Sequence, residues 1–212
     1  MTTSSKRPIC AVCLRPQAAC ICRWITPLSS SAEVLVLQHP MEVANAKNSA
    51  RLLHLSLPGS QLVVGEVFGD AQLDALLAGP RRAVLLYPDT PGDAGLGMAT
   101  PAPFNPAWAQ RPDQLRLVVL DATWRKSRKM LYLNRALQRL PRLPLREVPA
   151  SHYLIRKAHA PDQLSTLEAT AYALAQLESD AQKFAPLIAA FDGFVAQLQG
   201  YVHAHAGHDG AA

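Results

Sequence analysis

The sequence predicts an α/β fold in which helices cover both faces of a mostly parallel sheet. Short apolar runs alternate along the chain with segments that carry helix caps and helical periodicity. The runs are apolar throughout, as in strands that are buried on both faces. Polar clusters directly follow several of these runs, and open α/β sheets bind their ligands at such strand ends.

Length and apolar content narrow the class of protein. The 212 residues fit one domain, or one domain with a small appendage, and are enough to bury a substantial core. No unbroken apolar segment reaches the length of a membrane span, and no charged start precedes an apolar stretch with a cleavage site. The sequence therefore predicts a cytoplasmic protein that does not contact the membrane. The oligomeric state stays open, with a monomer slightly favoured.

The N-terminal half is expected to contain three strands and two helices. The strands are the apolar runs at residues 33–38, 61–67 and 83–87. Asn48 is a plausible N-cap for a helix that extends to about Leu57 and stops at Pro58-Gly59. Residues 70–78 are expected to form a second, short helix, which Gly79-Pro80 closes.

The C-terminal half is expected to contain two strands and three helices. The strands are predicted at residues 115–120 and 143–148. A basic helix begins at about Thr123. Ser165 and Glu168 form a capping box, which begins a helix that extends to about Glu178. The last helix is amphipathic and covers roughly residues 186–202.

Two segments lack periodicity. Residues 89–112 are rich in Pro and Gly, and a loop of this length is either functional or disordered. Whether it becomes ordered on binding stays open. Residues 203–212 are expected to form a frayed tail. The chain is therefore divided into a cysteine-rich knuckle at residues 1–24, a main domain at residues 25–202, and a disordered tail at residues 203–212.

Positive charge is concentrated in two segments. The net charge is +5 and the isoelectric point is about 9.2. Residues 111–157 contain 12 Lys and Arg but only three acids, and residues 1–24 contain four cations and no acid. Solubilising helix faces would explain part of this charge, but its asymmetry favours a polyanionic partner such as nucleic acid.

All four cysteines lie near the N-terminus, with the spacing C-x2-C-x6-C-x-C. They are Cys10, Cys13, Cys20 and Cys22. In a reducing cytoplasm this compact spacing favours tetrahedral coordination of zinc over disulfides, with an iron–sulfur cluster or unligated thiols as alternatives. Four protein ligands leave no open position, so the zinc site would be structural. A segment this short has almost no core, and metal binding would supply its folding free energy.

Polar residues cluster at four predicted strand ends or helix starts. The clusters are Gln38-His39-Pro40 with Glu42, Asn48 and Arg51; Leu86-Tyr87-Pro88; Asp121 with Thr123 and Trp124; and Ser151, Tyr153, Arg156 and Lys157 with Leu164-Ser165-Thr166. In a parallel sheet these clusters converge at one edge, which favours a functional interpretation over the structural one that each residue has alone. Asp121 is the acid at the end of a buried strand that opens onto the basic helix.

Taken together, these motifs resemble the DTW-domain family of tRNA-uridine aminocarboxypropyltransferases. The resemblance is carried by the cysteine spacing, Gln38-His39-Pro40, Asn48-Ser49-Ala50-Arg51, Leu86-Tyr87-Pro88, Asp121-x-Thr123-Trp124, Tyr153 with Arg156-Lys157, and Leu164-Ser165-Thr166-x-Glu168-Ala169. It runs in order from Cys10 to about Glu178. Ser49 departs from the Thr that members usually have, but it keeps the hydroxyl.

The resemblance implies a SPOUT-like fold with a knotted S-adenosylmethionine site. It also implies transfer of the 3-amino-3-carboxypropyl group from S-adenosylmethionine to N3 of a tRNA uridine, with release of methylthioadenosine. Bacterial relatives modify the variable-loop uridine, and the same target is expected here. Knots are rare, and nothing in the strand pattern predicts one.

The residues, read together with this resemblance, also suggest roles for individual side chains. Asp121 is the candidate base for N3, or else it orients the uracil or holds the donor's amino group. The expected donor-binding residues are Leu86, Tyr87, Pro88, Leu120, Asp121, Thr123, Trp124, Leu164, Ser165 and Thr166. The expected RNA contacts are His39, Arg51, Arg125, Lys126, Arg128, Lys129, Tyr153, Arg156 and Lys157. Trp124 or Tyr153 could stack on an extruded uracil, although packing is favoured for Trp124.

Three other functions stay open. A methyltransferase of the same broad fold would use the same donor and release S-adenosylhomocysteine. A non-catalytic, zinc-stabilised RNA-binding module would need the basic segments but no donor. A related aminocarboxypropyltransferase would act on ribosomal RNA instead of tRNA.

Overall fold

Five strands form one sheet at the centre of the molecule. The computed structural model describes residues 8–90, 97–146, 148–151 and 164–206. The strands are β1 (Glu33–Gln38), β2 (Gln61–Val64), β3 (Arg82–Leu86), β4 (Leu115–Asp121) and β5 (Arg142–Leu143). They lie in the order β2-β1-β4-β3-β5, and every neighbouring pair is parallel. The predicted parallel α/β sheet is confirmed.

Helices cover both faces of this sheet, as predicted. The helices are α1 (Ala50–Ser56), α2 (Asp70–Leu77), α3 (Trp124–Leu133), α4 (Arg135–Gln138), α5 (Thr166–Glu178) and α6 (Ala181–Ala206). Side chains alternate along β1, so that Val34 and Val36 pack with α1, α5 and α6, whereas Leu35 and Leu37 pack with α2, α3 and α4. The central strands are therefore buried on both sides, which explains their continuous apolar sequence.

The two edge strands are shorter than predicted. The sequence favoured β2 to residue 67 and β5 over residues 143–148. Val64 is the last residue of β2 and pairs with Gln38, the last residue of β1. Leu143 of β5 pairs with Leu86, where β3 ends. Each edge strand has one neighbour, and it stops where that neighbour stops.

Three helix ends also differ from the prediction. Ser49 occupies the cap position of α1 but makes no side-chain capping bond, whereas Asn48 Oδ1 accepts a hydrogen bond from Arg51 N at 3.3 Å and so makes the predicted capping contact one residue earlier. The last helix begins at Ala181 instead of residue 186, since Asp180 accepts a hydrogen bond from Lys183 N at 3.0 Å and caps the earlier start. Its backbone also continues to Ala206, past the predicted tail boundary.

The predicted capping box of α5 is confirmed. Ser165 Oγ accepts a hydrogen bond from Glu168 N at 3.2 Å, and Glu168 Oε2 accepts one from Ser165 N at 2.7 Å. The long segment before β4 forms two short 3-10 turns, at Pro106–Gln110 and Pro112–Gln114, and its residues 91–96 lie outside the described part. No helix in the described ranges combines the length and apolar character that crossing a lipid bilayer requires.

The N-terminal segment packs on α6, and the Trp24 ring lies directly against Gly193. A Cβ atom at Gly193 would overlap the ring of Trp24, whereas one at Gly200 would meet nothing within 4 Å. We expect Gly193→Ala to lower the free energy of unfolding by about 1–3 kcal/mol through overpacking, even though Ala is the better helix former. Gly200→Ala should raise it by about 0.5–1 kcal/mol. Denaturant unfolding measures both, and equal shifts in the two variants would contradict the packing argument.

Candidate active site and metal centre

The candidate site is centred on Asp121, the last residue of the central strand β4. Its side chain is only 3% exposed. Its Oδ2 atom accepts hydrogen bonds from Gln38 Nε2 at 2.8 Å and Asn48 Nδ2 at 2.6 Å. Its Oδ1 atom accepts one from Thr166 Oγ1 at 2.6 Å. Three neutral donors thus hold a buried carboxyl group in one orientation.

Burial raises the pKa of Asp121 above the ordinary value of an aspartate. The hydrogen bonds from Thr166, Gln38 and Asn48 act in the opposite direction, and the nearby charge of Glu42 adds to the rise. Desolvation is the largest of these effects. The group therefore binds a proton more readily near neutral pH than a solvated aspartate does, as a general base requires.

Elements from distant parts of the chain converge on this carboxyl group, as the sequence predicted. Gln38 ends β1, Asn48 precedes α1, and Thr166 begins α5. The start of α5 is tied to the start of α1, because Ser49 Oγ accepts a hydrogen bond from Leu167 N at 3.2 Å. The hydroxyl that Ser49 retains therefore has a structural partner.

A cavity of about 140 Å³ lies beside Asp121. It is lined by Glu42, Asn45, Lys47, Asn48, Ser49, Asp121, Ala122, Thr123, Ser165 and Thr166. Its volume is below the roughly 300–1,000 Å³ of pockets that enclose a whole small ligand, so it fits a reacting group rather than a complete nucleoside. A larger cavity of about 860 Å³ flanks β5 and α5, but none of the ten predicted donor-binding residues lines it.

The remaining predicted donor-binding residues do not line the smaller cavity. They lie at or just after the carboxyl ends of β3 and β4, or just before α5. Tyr87 is buried and Pro88 is exposed directly after β3. The Trp124 ring stacks on Tyr87, with 5.2 Å between the ring centroids, yet its side chain is 47% exposed. Trp124 thus packs on Tyr87 and also leaves part of its ring accessible to solvent. Leu86, Leu120 and Leu164 are half-buried.

The four cysteines form a compact cluster of thiol groups. Their Sγ atoms all lie within 4.8 Å of one another, with 3.5 Å between Cys10 and Cys22 and 3.7 Å between Cys13 and Cys20. Tetrahedral zinc with Zn–S bonds of about 2.3 Å would place the sulfurs about 3.8 Å apart. The cluster can therefore bind a metal ion, and its dimensions fit zinc.

The thiol groups favour a cation at their centre. Backbone N–H groups of Cys13 and Val12 lower the pKa of the Cys10 thiol to about 6, so this group ionises readily. Burial, together with the neighbouring thiols, raises the pKa of the Cys22 thiol to about 12. Four thiolates this close together would repel one another, and a divalent cation removes that repulsion.

A family comparison matches this arrangement of motifs. The profile of the DTW domain matches residues 7–199 of the chain. The chain belongs to the DTW-domain family. The resemblance inferred from the motifs is thereby confirmed, and it covers both the cysteine cluster and the Asp121 site.

Curated relatives of this DTW domain carry informative names. tRNA-uridine aminocarboxypropyltransferase 2 of Mus musculus is 30% identical over 185 residues, which cover 84% of this chain and 59% of the mouse protein. The Drosophila melanogaster protein of the same name is 31% identical, over 82% of this chain and 68% of its own length. tRNA-uridine aminocarboxypropyltransferase A of Arabidopsis thaliana is 29% identical over 59% of this chain and 51% of its own length. No solved structure matches the chain.

The basic helix α3 of the DTW domain divides its cations into two groups. Lys126 Nζ lies 3.0 Å from Glu42 Oε1, and Lys129 Nζ lies 3.0 Å from Glu66 Oε1. Arg125 and Arg128 are exposed on the surface of the helix. The two lysines thus have acidic partners within the protein, and the exposed Arg125 is better placed to meet a phosphate.

Two predicted RNA contacts have internal roles. The His39 side chain is buried, its Nδ1 atom accepts a hydrogen bond from Met41 N at 3.1 Å, and its Nε2 atom lies 3.0 Å from Glu66 Oε1. Because Nδ1 acts as the acceptor, Nε2 carries the hydrogen toward Glu66. Arg51 is half-buried and donates from Nη2 to Val12 O at 2.7 Å. Neither the His39–Glu66 contact nor the Arg51–Val12 contact could be predicted locally, because the partners are 27 and 39 residues apart along the chain.

The predicted contacts Tyr153, Arg156 and Lys157 lie outside the described residues. Ser151, just before them, donates from Oγ to Glu168 Oε2 at 2.9 Å and thereby ties its segment to the α5 capping box. Gln38 and Asn48 belonged to the polar clusters found in the sequence, but their role as donors to Asp121 was missed. Their motifs, Gln-His-Pro and Asn-Ser-Ala-Arg, were the signal that could have identified them.

Proposed function

We propose that this DTW domain transfers the 3-amino-3-carboxypropyl group of S-adenosylmethionine to N3 of a tRNA uridine, with the variable-loop uridine as the expected target. The observation that carries the proposal is the buried carboxyl group of Asp121, held at the end of β4 beside a basic helix. The names of the mouse, fly and plant relatives support the same activity.

Asp121 is proposed to take the proton from uridine N3, because a protonated N3 is a poor nucleophile. Burial raises the pKa of Asp121, which makes the proton transfer easier near neutral pH. S-adenosylmethionine supplies a sulfonium whose C–S bond breaks as the N3–C bond forms, and the electron pair stays on sulfur in methylthioadenosine. The hydrogen bonds from Gln38, Asn48 and Thr166 keep the carboxyl group in a fixed orientation throughout.

The cavity beside Asp121 is proposed to hold the reacting end of the donor and the uracil edge. The donor's nucleoside would then lie along Leu86, Tyr87, Pro88, Leu120 and Leu164, outside this small space. Its carboxylate suits the start of α3 better than that of α5, because Leu167 N and Glu168 N already donate to Ser49 and Ser165. Thr123 precedes α3 and makes no side-chain capping bond there.

The metal ion is proposed to be a structural Zn²⁺ held by Cys10, Cys13, Cys20 and Cys22. Four thiolate ligands leave no open coordination position for chemistry. The division into a knuckle at residues 1–24 and a catalytic domain that begins at residue 25 belongs to the same proposal. The knotted SPOUT-like topology is proposed from the family resemblance, and the parallel sheet supports only its α/β class.

Arg125 is proposed to contact tRNA phosphates. Loss of one such contact should weaken tRNA binding several-fold and lower the slope of log K against log salt by about 1. We therefore expect this result for Arg125→Met, measured by titration at several salt concentrations. The control is the double variant Glu66→Gln, Lys129→Met, which removes both charges of an ion pair and leaves the net charge unchanged. A larger loss of slope in the control than in Arg125→Met would contradict the assignment.

Mass spectrometry of nucleosides tests the function itself. Aminocarboxypropyluridine should disappear from the tRNA of cells that lack the gene and return when the gene is restored. Purified protein should form methylthioadenosine from S-adenosylmethionine and tRNA. S-adenosylhomocysteine as the by-product would indicate methyl transfer instead. If calorimetry detects no binding of S-adenosylmethionine, the protein is a non-catalytic RNA-binding module. If aminocarboxypropyluridine is lost only from ribosomal RNA, the substrate is ribosomal RNA instead of tRNA.

A further inference from the structure

The described part of the cysteine knuckle, residues 8–24, contacts the segment that carries Asn48. Arg15 donates from Nη1 to Ala46 O and from Nη2 to Asn48 O, each at 2.7 Å. In return, Arg51 donates from Nη2 to Val12 O at 2.7 Å. Three charge-assisted hydrogen bonds therefore join the knuckle to the residues on either side of the α1 start.

Asn48 connects this contact to the candidate active site. Its backbone carbonyl is held by Arg15, and its side-chain Nδ2 donates to Asp121 Oδ2 at 2.6 Å. Its Oδ1 atom accepts from Arg51 N at 3.3 Å and from Gln38 Nε2 at 3.4 Å. Asn48 is buried, so its amide orientation depends on the position of its backbone. The path from the knuckle to the carboxyl group thus contains one residue between Arg15 and Asp121.

The knuckle is anchored independently on its other side. Gln197 of α6 donates from Nε2 to Cys20 O at 3.1 Å and accepts from Trp24 Nε1 at 2.6 Å. The Arg15 guanidinium also lies over the Phe194 ring, at 5.0 Å from its centroid. Removal of the Arg15 side chain also removes the contact with Phe194, but the two Gln197 hydrogen bonds do not involve Arg15 and should keep the knuckle bound to the core.

We infer that the metal-bound knuckle positions the Asp121 carboxyl group, and that Arg15 is the positioning residue through which it does so. The rate and its pH dependence can be measured only if the proposed function is correct, so that part of the inference rests on the proposed function. The hydrogen-exchange measurement does not depend on it. It assigns the knuckle a part in the reaction besides any contact with RNA. Metal loss would then disturb the active site directly, through the segment that carries Asn48.

The surroundings of Asp121 fix the direction of the expected change. The charged groups that face it in the described residues are Glu42, which is paired with Lys126, and Lys47, which lines the same cavity. The hydrogen bond from Asn48 lowers the pKa of Asp121. A displaced Asn48 weakens this bond, so the ascending limb of the pH–rate profile should move to higher pH.

The test compares Arg15→Met with Arg23→Met in the metal-loaded protein. Both variants remove one cation from the N-terminal segment, but Arg23 lies over the Trp24 ring instead of contacting the Asn48 segment. We expect Arg15→Met to keep its metal, to lose hydrogen-exchange protection at residues 45–49, and to react about tenfold more slowly at pH 7 in single turnover. Its ascending limb should move upward by about half a pH unit or more. Arg23→Met should keep the wild-type protection and pH profile.

Wild-type protection and pH profile in Arg15→Met would overturn the inference. If the Arg15→Met protein does not retain its metal, the Arg15→Gln variant is tested in its place. The glutamine side chain is polar but too short to donate to both Ala46 O and Asn48 O. If Arg15 acts through Asn48, the double variant Arg15→Met, Asn48→Ala should have the same pH profile as Asn48→Ala alone. A further shift in the double variant would show that the two residues act independently and would contradict the inference. If wild-type protein forms no aminocarboxypropyluridine, the proposed function is wrong. The hydrogen-exchange comparison would still show whether Arg15 holds the segment that carries Asn48.

Discussion

Asp121→Asn is expected to lower the single-turnover rate of uridine modification at least about a hundredfold, because an amide cannot accept the N3 proton. The replacement has nearly the same shape, and its NH₂ group can donate to Thr166 Oγ1 while its oxygen keeps the hydrogen bonds from Gln38 and Asn48. The fold should therefore persist, with a melting temperature within a few degrees of wild type. Rapid-quench assays with nucleoside mass spectrometry measure the rate, and circular dichroism measures the fold.

Asp113→Asn is the matched control. Asp113 is an exposed acid on the turn before β4, paired with Arg111 at 3.1 Å, and the same change there should leave turnover unaltered. Wild-type turnover in a folded Asp121→Asn protein would eliminate both the base role and an orienting role for this carboxyl group.

The pH dependence separates the two roles of Asp121. As a base, it must be ionised, so the wild-type rate should rise with pH through its elevated pKa and then level off. In Asp121→Asn, the residual rate should continue to rise at alkaline pH, because N3 then ionises in solution. An orienting role instead predicts a uniformly lower rate with the wild-type pH profile. Asp121→Glu keeps a carboxyl group but changes its position. A rate between those of wild type and Asp121→Asn would therefore support proton transfer by this group.

The central elements could be predicted from sequence because their signals are local. The apolar runs of β1 and β4 are buried on both faces, and the α5 capping box needs only Ser165 and Glu168. The ends of β2 and β5 depend on where the neighbouring strands stop, which no residue within them encodes. The meeting of polar clusters followed from parallel strands alone, since all carboxyl ends of such strands share one edge.

The contacts within the site could not be predicted in the same way. Gln38, Asn48 and Thr166 are 83, 73 and 45 residues from Asp121 along the chain. The ion pair between Lys126 and Glu42 joins residues 84 positions apart, so the sequence alone could not show that this lysine of the basic helix already has an acidic partner. Sequence motifs identify which residues matter, but side-chain pairing across the sheet edge decides which of them face the substrate.

Loss of a single cysteine should have the largest effect on stability. Cys13 is 2% exposed and belongs, with Cys10 and Ile21, to the core cluster that also contains the phenylalanines of α6. Structural zinc contributes roughly 10–16 kcal/mol to the folding of isolated zinc-finger peptides. We expect Cys13→Ser to release the metal and to lower the melting temperature by about 6–12 °C, which corresponds to about 3 kcal/mol in a chain of this size.

Metal analysis and calorimetry measure this result, and Ala11→Ser is the control. Ala11 is exposed on the same turn and holds no ligand, so a serine there should leave one metal per chain and an unchanged melting temperature. Zinc in the wild-type protein, without the visible absorption of an iron–sulfur cluster, would identify the ion. A Cys13→Ser protein with full metal content would show that the four thiols are not the ligands. A metal-free variant with wild-type stability would show that the core of α6 suffices to hold the knuckle.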